Sequence, residues 1–576
     1  MGLNNKRIFV IEKLFINCII YSMDIYNNIY KVMGISEGRV IFLGNSMEAA
    51  NIIDENTEII DLGNRVIVPG FIDSYIKIPE KNIMNENSLN LYDCKNVDEY
   101  LTVISHYIIA NSDKKIIYGV GWDYNKFLDN DNSYKNPNKY LLNNICNNKP
   151  IILRDNTGSS LWLNDKALDY FDIDENTIPP VGGTIELDEN KKTSGILTGN
   201  AVYLINIADI VDYNVKDYLN GFIKFQDRLH SYGITSVGLV KNGLLDIPLN
   251  FYGMLNERNL LKLRICYGIK ILPYEIQHKT IYEQIHQLKR LKIIYENELF
   301  DINRACFQVD GQIRKHAAFL FKPYKDKEKL GDEYLGRFMW NLLEFKEGVK
   351  MANRLDFNVS IEAQGDNACR LAMDGIEYSE KNNNYNKCRD SIVGLDLITK
   401  YYVRRMKNLK INAIIHPFWY YQNIKDVERE CELIGGERIQ RLYPYRSLIE
   451  NNILVGSSSD YYVEDNPDPI KAIWCSVTRN LYDFKKNKSM PSDLIINSKY
   501  RLNPSESIDV LSAVKSYTIN AAYILGKENE IGSIEVGKSA DFVVLNQNIF
   551  KSDSENIENT FVCRTYFKGK LLYKNE

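Results

Sequence analysis

The sequence predicts an α/β protein: a (β/α)8 TIM-type barrel, a small β-sandwich domain formed by both chain ends, and an inserted subdomain after barrel strand one. Three observations carry this. Eight apolar β runs recur in series with helix-periodic stretches between them, which argues a parallel sheet, and eight such units argue a closed barrel. Both ends of the chain are β-rich, and neither holds enough strands to bury a core of its own. The interval from about residue 78 to 211 is too long for one crossover between barrel strands. The expected divisions are therefore 1–65 and 524–576 for the sandwich and 66–523 for the barrel, with the insert at about 78–211.

In order along the chain, Arg7–Ile11, Tyr30–Ser36, Arg39–Leu43 and Glu58–Leu62 read as strands, with Glu37-Gly38 and Gly44-Asn45 as turns. Val66–Lys77 is the first barrel strand. It opens apolar, crosses Pro69-Gly70 and ends on polar residues. Side chains alternate along a strand, so Tyr75 and Lys77 share a face and point into the mouth, where such barrels keep their chemistry. The other seven strands are Gly233–Val240, Leu263–Ile271, Arg304–Gly311, Phe357–Gly365, Ser391–Asp396, Ile411–His416 and Ile453–Asp460. Leu219, Phe222 and Ile223 at i, i+3, i+4 mark a helix before the second of these, and Ile281–Glu296 and Leu342–Leu355 mark two more. Ala540–Leu545 and Thr560–Tyr573 are the β-rich partners expected for the N-terminal strands.

Of the 576 residues, 45% are hydrophobic and 25% charged, ordinary for a globular protein. A formal net charge of -4 gives no basis for binding nucleic acid or an anionic membrane. The ten cysteines are scattered from Cys18 to Cys563 without a C-x-x-C pair, which predicts free thiols in a reducing cytoplasm. No signal-peptide core and no apolar run of spanning length is seen, so a cytoplasmic protein without a membrane partner is expected.

Pro69-Gly70-Phe71-Ile72-Asp73-Ser74-Tyr75-Ile76-Lys77 resembles the strand-one signature P-G-F-I-D-S-H-x-H of the amidohydrolase superfamily. Gly532–Phe542 is similar to that superfamily's G-S-I-E-x-G-K-x-A-D-F. Gly119–Asp123, Gly158–Asn164, Gly182–Ile185, Ser194–Leu197 and Thr518–Ala522 resemble motifs of its family-3 branch, which includes N-substituted formamide deformylases. The resemblance runs nearly end to end and implies the barrel with its composite sandwich, and hydrolysis of non-peptide C–N bonds. It also implies a metal held by H-x-H on strand one, a lysine on strand four, histidines on strands five and six and an aspartate on strand eight.

At those positions this chain has Tyr75 and Lys77, Cys306, Glu362, Gly394 and Asp460, and Ser159 stands where the insert's D-G-H histidine is expected. Asp460 alone keeps the family's residue. A zinc-type site needs three or four imidazoles, thiolates or carboxylates converging at about 2 Å. Lys77 arrives instead as an ammonium that repels the ion, and Gly394 offers no ligand. No metal and no other cofactor is therefore expected. The remaining donors Cys306, Glu362 and Asp460 leave a single-ion site as the alternative.

Asp460, Lys77, Tyr75, Glu362 and Cys306 are the candidate catalytic set, and Ser159, Asp310, His416 and Trp122 the candidate ligand contacts. Cys306 is a nucleophile only if its pKa is lowered, and otherwise fills the space of the absent lysine. Asp310 and Asp366 sit beside glycines at strand ends, where loop structure explains them as well as catalysis does. His416 closes strand seven as a contact residue unless a partner activates it. Lys77, on strand one beside strand eight, is expected to bring its ammonium to Asp460, and Glu362 is its second candidate partner. Three readings follow in order. The first is a metal-free relative of a C–N hydrolase that binds a small molecule in the barrel mouth without the ancestral reaction. The second is an enzyme using Lys77, Tyr75, Glu362 and Asp460 for acid–base or Schiff-base chemistry. The third is a metallohydrolase with an unusual ligand set. A homo-oligomer is left open.

Overall fold

The computed structural model describes residues 11–49, 53–77, 89–128, 136–211, 215–240, 249–326, 331–383, 388–421, 424–461, 466–480, 482–483, 488–489 and 503–575. The two chain ends build one sheet. Lys13–Tyr21, Val32–Ser36, Arg39–Gly44 and Glu58–Pro69 join Phe542–Leu545, Val562–Phe567 and Lys570–Lys574 in a continuous ladder. The join is antiparallel, with Val66 opposite Leu545 and Pro69 opposite Phe542. Phe15, Ile67, Phe542, Val544 and Tyr566 are buried together, and the Phe542 ring stacks on Tyr566 at 4.5 Å and meets Phe15 edge-on at 5.1 Å. The strand Lys13–Tyr21 was not among the expected runs. Its alternation is broken at Asn17, where φ is +49° and the register with Glu58–Pro69 shifts. Most of the expected run Arg7–Ile11 lies outside the described residues.

The expected first barrel strand is divided at Gly70. Up to Pro69 the chain belongs to the terminal sheet; from Phe71 it belongs to the barrel. A Cβ on Gly70 would lie 2.3 Å from Thr235 Oγ1, so only glycine lets the two layers approach here. Gly70 N–H donates to the Asp541 carbonyl, and the Asp541 carboxylate takes Arg264 Nη2 at 3.3 Å and Lys568 N–H at 2.7 Å. That aspartate pins the terminal sheet to the closed end of the barrel.

The barrel strands are β1 (Phe71–Lys77), β2 (Ile234–Val240), β3 (Arg264–Lys270), β4 (Phe300–Gln308), β5 (Asn358–Ala363), β6 (Ser391–Gly394), β7 (Asn412–Ile415) and β8 (Val455–Ser457). All eight expected strands are present, and each pairs in parallel with the next from β1 to β8. Their boundaries differ where side chains take over the backbone. β4 begins at Phe300 and stops at Gln308, and β8 ends at Ser457 rather than Asp460. Between β8 and β1 the seam is closed by Lys77 N–H on the Tyr461 carbonyl at 2.9 Å and by Ser459 N–H on the Asp73 carboxylate. Ser458 Oγ also donates to the Tyr75 carbonyl.

The intervening helices form as their periodicity predicts. Val215–Ser231 buries Phe222, Phe225 and Leu229. Ile281–Tyr295 starts on a reciprocal Thr280–Glu283 capping box, and Leu342–Arg354 on the Asn341 side chain. Between β1 and β2 a six-stranded sheet is inserted, ordered 183–187, 193–199, 160–163, 151–155, 117–122 and 89–90, over a core that includes Trp122, Trp162 and Phe127. Among the described residues no helix is long and apolar enough to cross a membrane.

Because Phe542 is fully buried between strands from both ends of the chain, Phe542→Ala should destabilise the protein by about 3–5 kcal/mol in urea unfolding. A loss below about 1 kcal/mol would mean that the shared core does not hold the ends together.

Candidate functional site

β1 delivers Tyr75 and Lys77 to the same side, as alternation requires, and both meet Glu362 from β5. Tyr75 O–H donates to Glu362 Oε1 at 2.6 Å, and Lys77 Nζ lies 4.0 Å from the same oxygen. Burial pushes the Glu362 carboxyl up, but Lys77, Lys270 and the Tyr75 hydrogen bond outweigh it and hold the group below the usual glutamate value. Burial, then the Glu362 charge, raises the Tyr75 phenol well above its ordinary value. Lys77 thus pairs with Glu362, the second partner expected for it. Lys77 still acts on Asp460 through the field: burial raises that carboxyl, while His416 and Lys77 draw it back.

Asp460 sits just past β8 at φ +50°, its N–H on Ser458 Oγ at 3.1 Å. His416, one residue past β7, is 9% exposed, and its Nδ1 is buried without a hydrogen-bond partner among the described residues. Burial lowers the imidazole pKa, against pulls in the other direction from Asp460 and Glu362. Cys306 on β4 is buried in contact with Gly268, whose missing side chain leaves room for the sulfur. Burial pushes its thiol up to about 12, so it remains protonated near neutrality.

The other expected contacts are held inside the protein. The Asp310 carboxylate accepts backbone N–H groups of Phe319 (2.8 Å), Gln364 (2.9 Å) and Gly365 (2.8 Å), clamping the loops after β4 and β5. Asp366 likewise takes the Phe321 N–H at 2.9 Å. Ser159 Oγ accepts from Lys315 Nζ at 2.7 Å, and that ammonium also bonds Asp155 (2.6 Å) and Thr157 (2.8 Å), tying the insert to the loop after β4. Trp122 is in the core of the insert, its indole N–H on the Leu153 carbonyl at 3.0 Å.

Sequence reasoning missed Lys270, the last residue of β3, whose Nζ donates to Gln308 Oε1 at 2.7 Å and whose charge acts on Glu362. The parity rule that found Lys77 at the end of β1 would have found Lys270 had it been applied to every strand end. It also missed Gln364 and Trp419, whose Oε1 and Nε1 are buried without partners among the described residues. Loop side chains past a strand end carry no periodic signal.

A metal site at this mouth would need several free donors. Glu362 Oε1 is occupied by a phenol and faced by an ammonium, and Gly394 has no side chain. Among the described residues no three His, Cys, Asp or Glu side chains are grouped so as to hold a metal ion. The described residues do not make up such a site.

A model of the amidohydrolase family matches residues 58–573. The chain is 22% identical to the N-substituted formamide deformylase of Arthrobacter pascens over 590 residues, covering 98% of each. It is 24% identical to the putative amidohydrolase YtcJ of Bacillus subtilis over 533 residues, covering 90% of this chain and 91% of that one. An uncharacterized metal-dependent hydrolase from Pyrococcus horikoshii has a solved structure that superposes with a TM-score of 0.68 at 23% identity, covering 94% of this chain and 99% of that chain.

Two outcomes test this geometry. A double-mutant cycle of Tyr75→Phe with Glu362→Gln should give a coupling of about 1.5–3 kcal/mol, the range for a hydrogen bond to a charged group, whereas additive effects would deny the contact. Burial raises the Asp310 carboxyl to about 7, opposed by its three backbone donors. Its unfolded value is about 3.9, so between the two the native state holds the extra proton and stability falls as pH rises. Asp310→Asn should flatten the slope of Tm between about pH 4 and pH 7; an unchanged slope would show that Asp310 does not titrate there.

Proposed function

The chain belongs to the amidohydrolase family, and from that premise we propose that its barrel mouth binds a small molecule without a catalytic transition metal and without the ancestral C–N hydrolysis. The observation that carries the reading is the engagement of Glu362 by Tyr75 and Lys77. These two residues stand at the positions where the resemblance places the strand-one histidines, and they neutralise a mouth carboxylate from within the protein. An ammonium about 4 Å from such a carboxylate also repels any cation brought to the same oxygens. Fold alone does not fix activity, so full-length likeness to hydrolases is compatible with a changed reaction.

A metal-free enzyme is the second reading, and the site gives it less support. The Cys306 thiol is raised to about 12 and is not a ready nucleophile. An ammonium paired with a carboxylate is not the free amine that Schiff-base formation requires. None of the ten cysteines is in a disulfide, which supports a cytoplasmic location.

Protein purified without chelator should contain no stoichiometric zinc, iron or manganese by elemental analysis, and EDTA should leave its Tm unchanged. A stoichiometric metal, removed by chelation together with thermal stability or with hydrolysis of an N-substituted formamide, would overturn the proposal.

A further inference from the structure

The helix Lys400–Asn408, between β6 and β7, buries Val403 and Met406 against the barrel and turns Lys400, Arg404 and Lys407 outward. At i, i+4 and i+7 the three cations share one face, with rises of about 6 and 4.5 Å between them. None of the three makes a hydrogen bond or an ion pair among the described residues. Helix stability does not account for them. Lys400 holds the first helical position, where the macrodipole favours an anion; the first turn has no acidic residue, and the Thr399 side chain makes no capping bond. Like charges three and four residues apart also repel along a helix. Nor does the overall charge of the chain account for them, since it is -4.

The surface on either side is charge-paired. Arg405 meets Asp374 at 2.7 Å and also Glu377 on the helix Asp366–Asn382, and Lys381 meets Glu377 at 2.6 Å. On the other side Arg446 pairs with Glu450 at 2.7 Å in the helix Tyr445–Glu450, which packs against Lys400–Asn408. The unanswered charge is therefore a ridge one helix wide. Tyr401, 69% exposed, borders it, and Tyr402 meets that ring edge-on at 5.0 Å while stacking on Phe321 at 5.5 Å. We propose that this ridge docks an acidic α-helical segment of another protein, running antiparallel with carboxylates at i, i+3 and i+7. Those positions repeat the rises of about 4.5 and 6 Å from Lys407 to Arg404 to Lys400, and a helix about 10 Å across matches the width of the ridge. A polynucleotide or an anionic bilayer spreads its charge more widely and would meet Asp374, Glu377 and Glu450 on the flanks. The ridge is on the outside of the barrel, so the inference is independent of what the mouth binds.

The full chain is titrated, by fluorescence anisotropy, against a labelled Ala-rich helical peptide carrying Glu at i, i+3 and i+7. Its Gln counterpart probes charge, and a peptide with the same Glu residues moved around the helix probes spacing. At low ionic strength the spaced Glu peptide should bind at least about tenfold tighter than both, a difference of about 1.4 kcal/mol, and the margin should shrink as salt is added. Lys400→Gln, Arg404→Gln and Lys407→Gln together should erase the margin at an unchanged Tm. Lys289→Gln with Arg290→Gln, two exposed cations on the helix Ile281–Tyr295, should keep it. Arg404→Glu should lose the Glu peptide and take in its place one with Lys at i+3, which reads direct contact even if the triple variant does not fold. Equal binding of the three peptides, or a margin that the triple variant retains, overturns the inference. So does tighter binding of a uridine oligonucleotide or of phosphatidylserine vesicles that the triple variant abolishes.

Discussion

A buried carboxylate closes the barrel. The ladder of parallel strands runs from β1 to β8 and stops, and the Asp73 side chain bridges the remaining gap by accepting the Ser459 N–H and hydroxyl. Full burial drives the Asp73 carboxyl up to about 6, and the hydrogen bonds from Ser459 and Ser458 and the Tyr75 N–H act against that rise. The closure also shapes the mouth. Ser458 N–H still bonds the Ile415 carbonyl of β7, while Ser459 turns inward to Asp73 and Asp460 adopts φ +50° at the rim. The strand that carries Asp73 carries Tyr75 and Lys77 two and four residues later, so the same seam sets the register of both sides of the site.

Each residue of such a mouth comes from a different strand, so a charge changed on one must be matched on another. Glu362 is the clearest case. Its partners come from β1 and β3, across the barrel rather than along its own neighbours, and together they outweigh a desolvation that would otherwise neutralise it. Cys306 and Gly268 show the steric counterpart, a sulfur seated where the adjacent strand has no side chain. The mouth is thus coherent as built: Tyr75, Lys77, Lys270 and Glu362 are parts of one connected arrangement.

The eight strands and the joining of the chain ends were legible in the sequence because apolar runs and turn residues are local signals. Strand ends were less so. β4 stops where Asp310 collects three backbone donors, and β8 where Asp73 claims Ser459; both are long-range side-chain contacts with no periodic trace. In the site, alternation was enough to place Tyr75 and Lys77 together. It did not tell which carboxylate they would meet, because Asp460 is the neighbour by strand order and Glu362 the neighbour by reach. Ser159 and Trp122 were legible as motif positions only. Their partners, Lys315 and the Leu153 carbonyl, decide what they do.

The motifs that carry the family resemblance divide physically into two sets. Gly70, Asp73, Asp310 and Asp541 hold backbone to backbone, and their hydrogen bonds are complete within the protein. None of them needs anything bound in the mouth. At the ligand positions Tyr75 and Lys77 help close the barrel through backbone groups, not side chains, so their side chains can change while the first set stays. That separation accounts for a chain whose fold matches metal-dependent hydrolases along most of its length while its mouth is furnished with a phenol, two ammonium groups and a thiol. Asp460 belongs to both sets. Its backbone position follows from the Asp73 closure, and its carboxylate feels the charges of His416, Lys77 and Glu362.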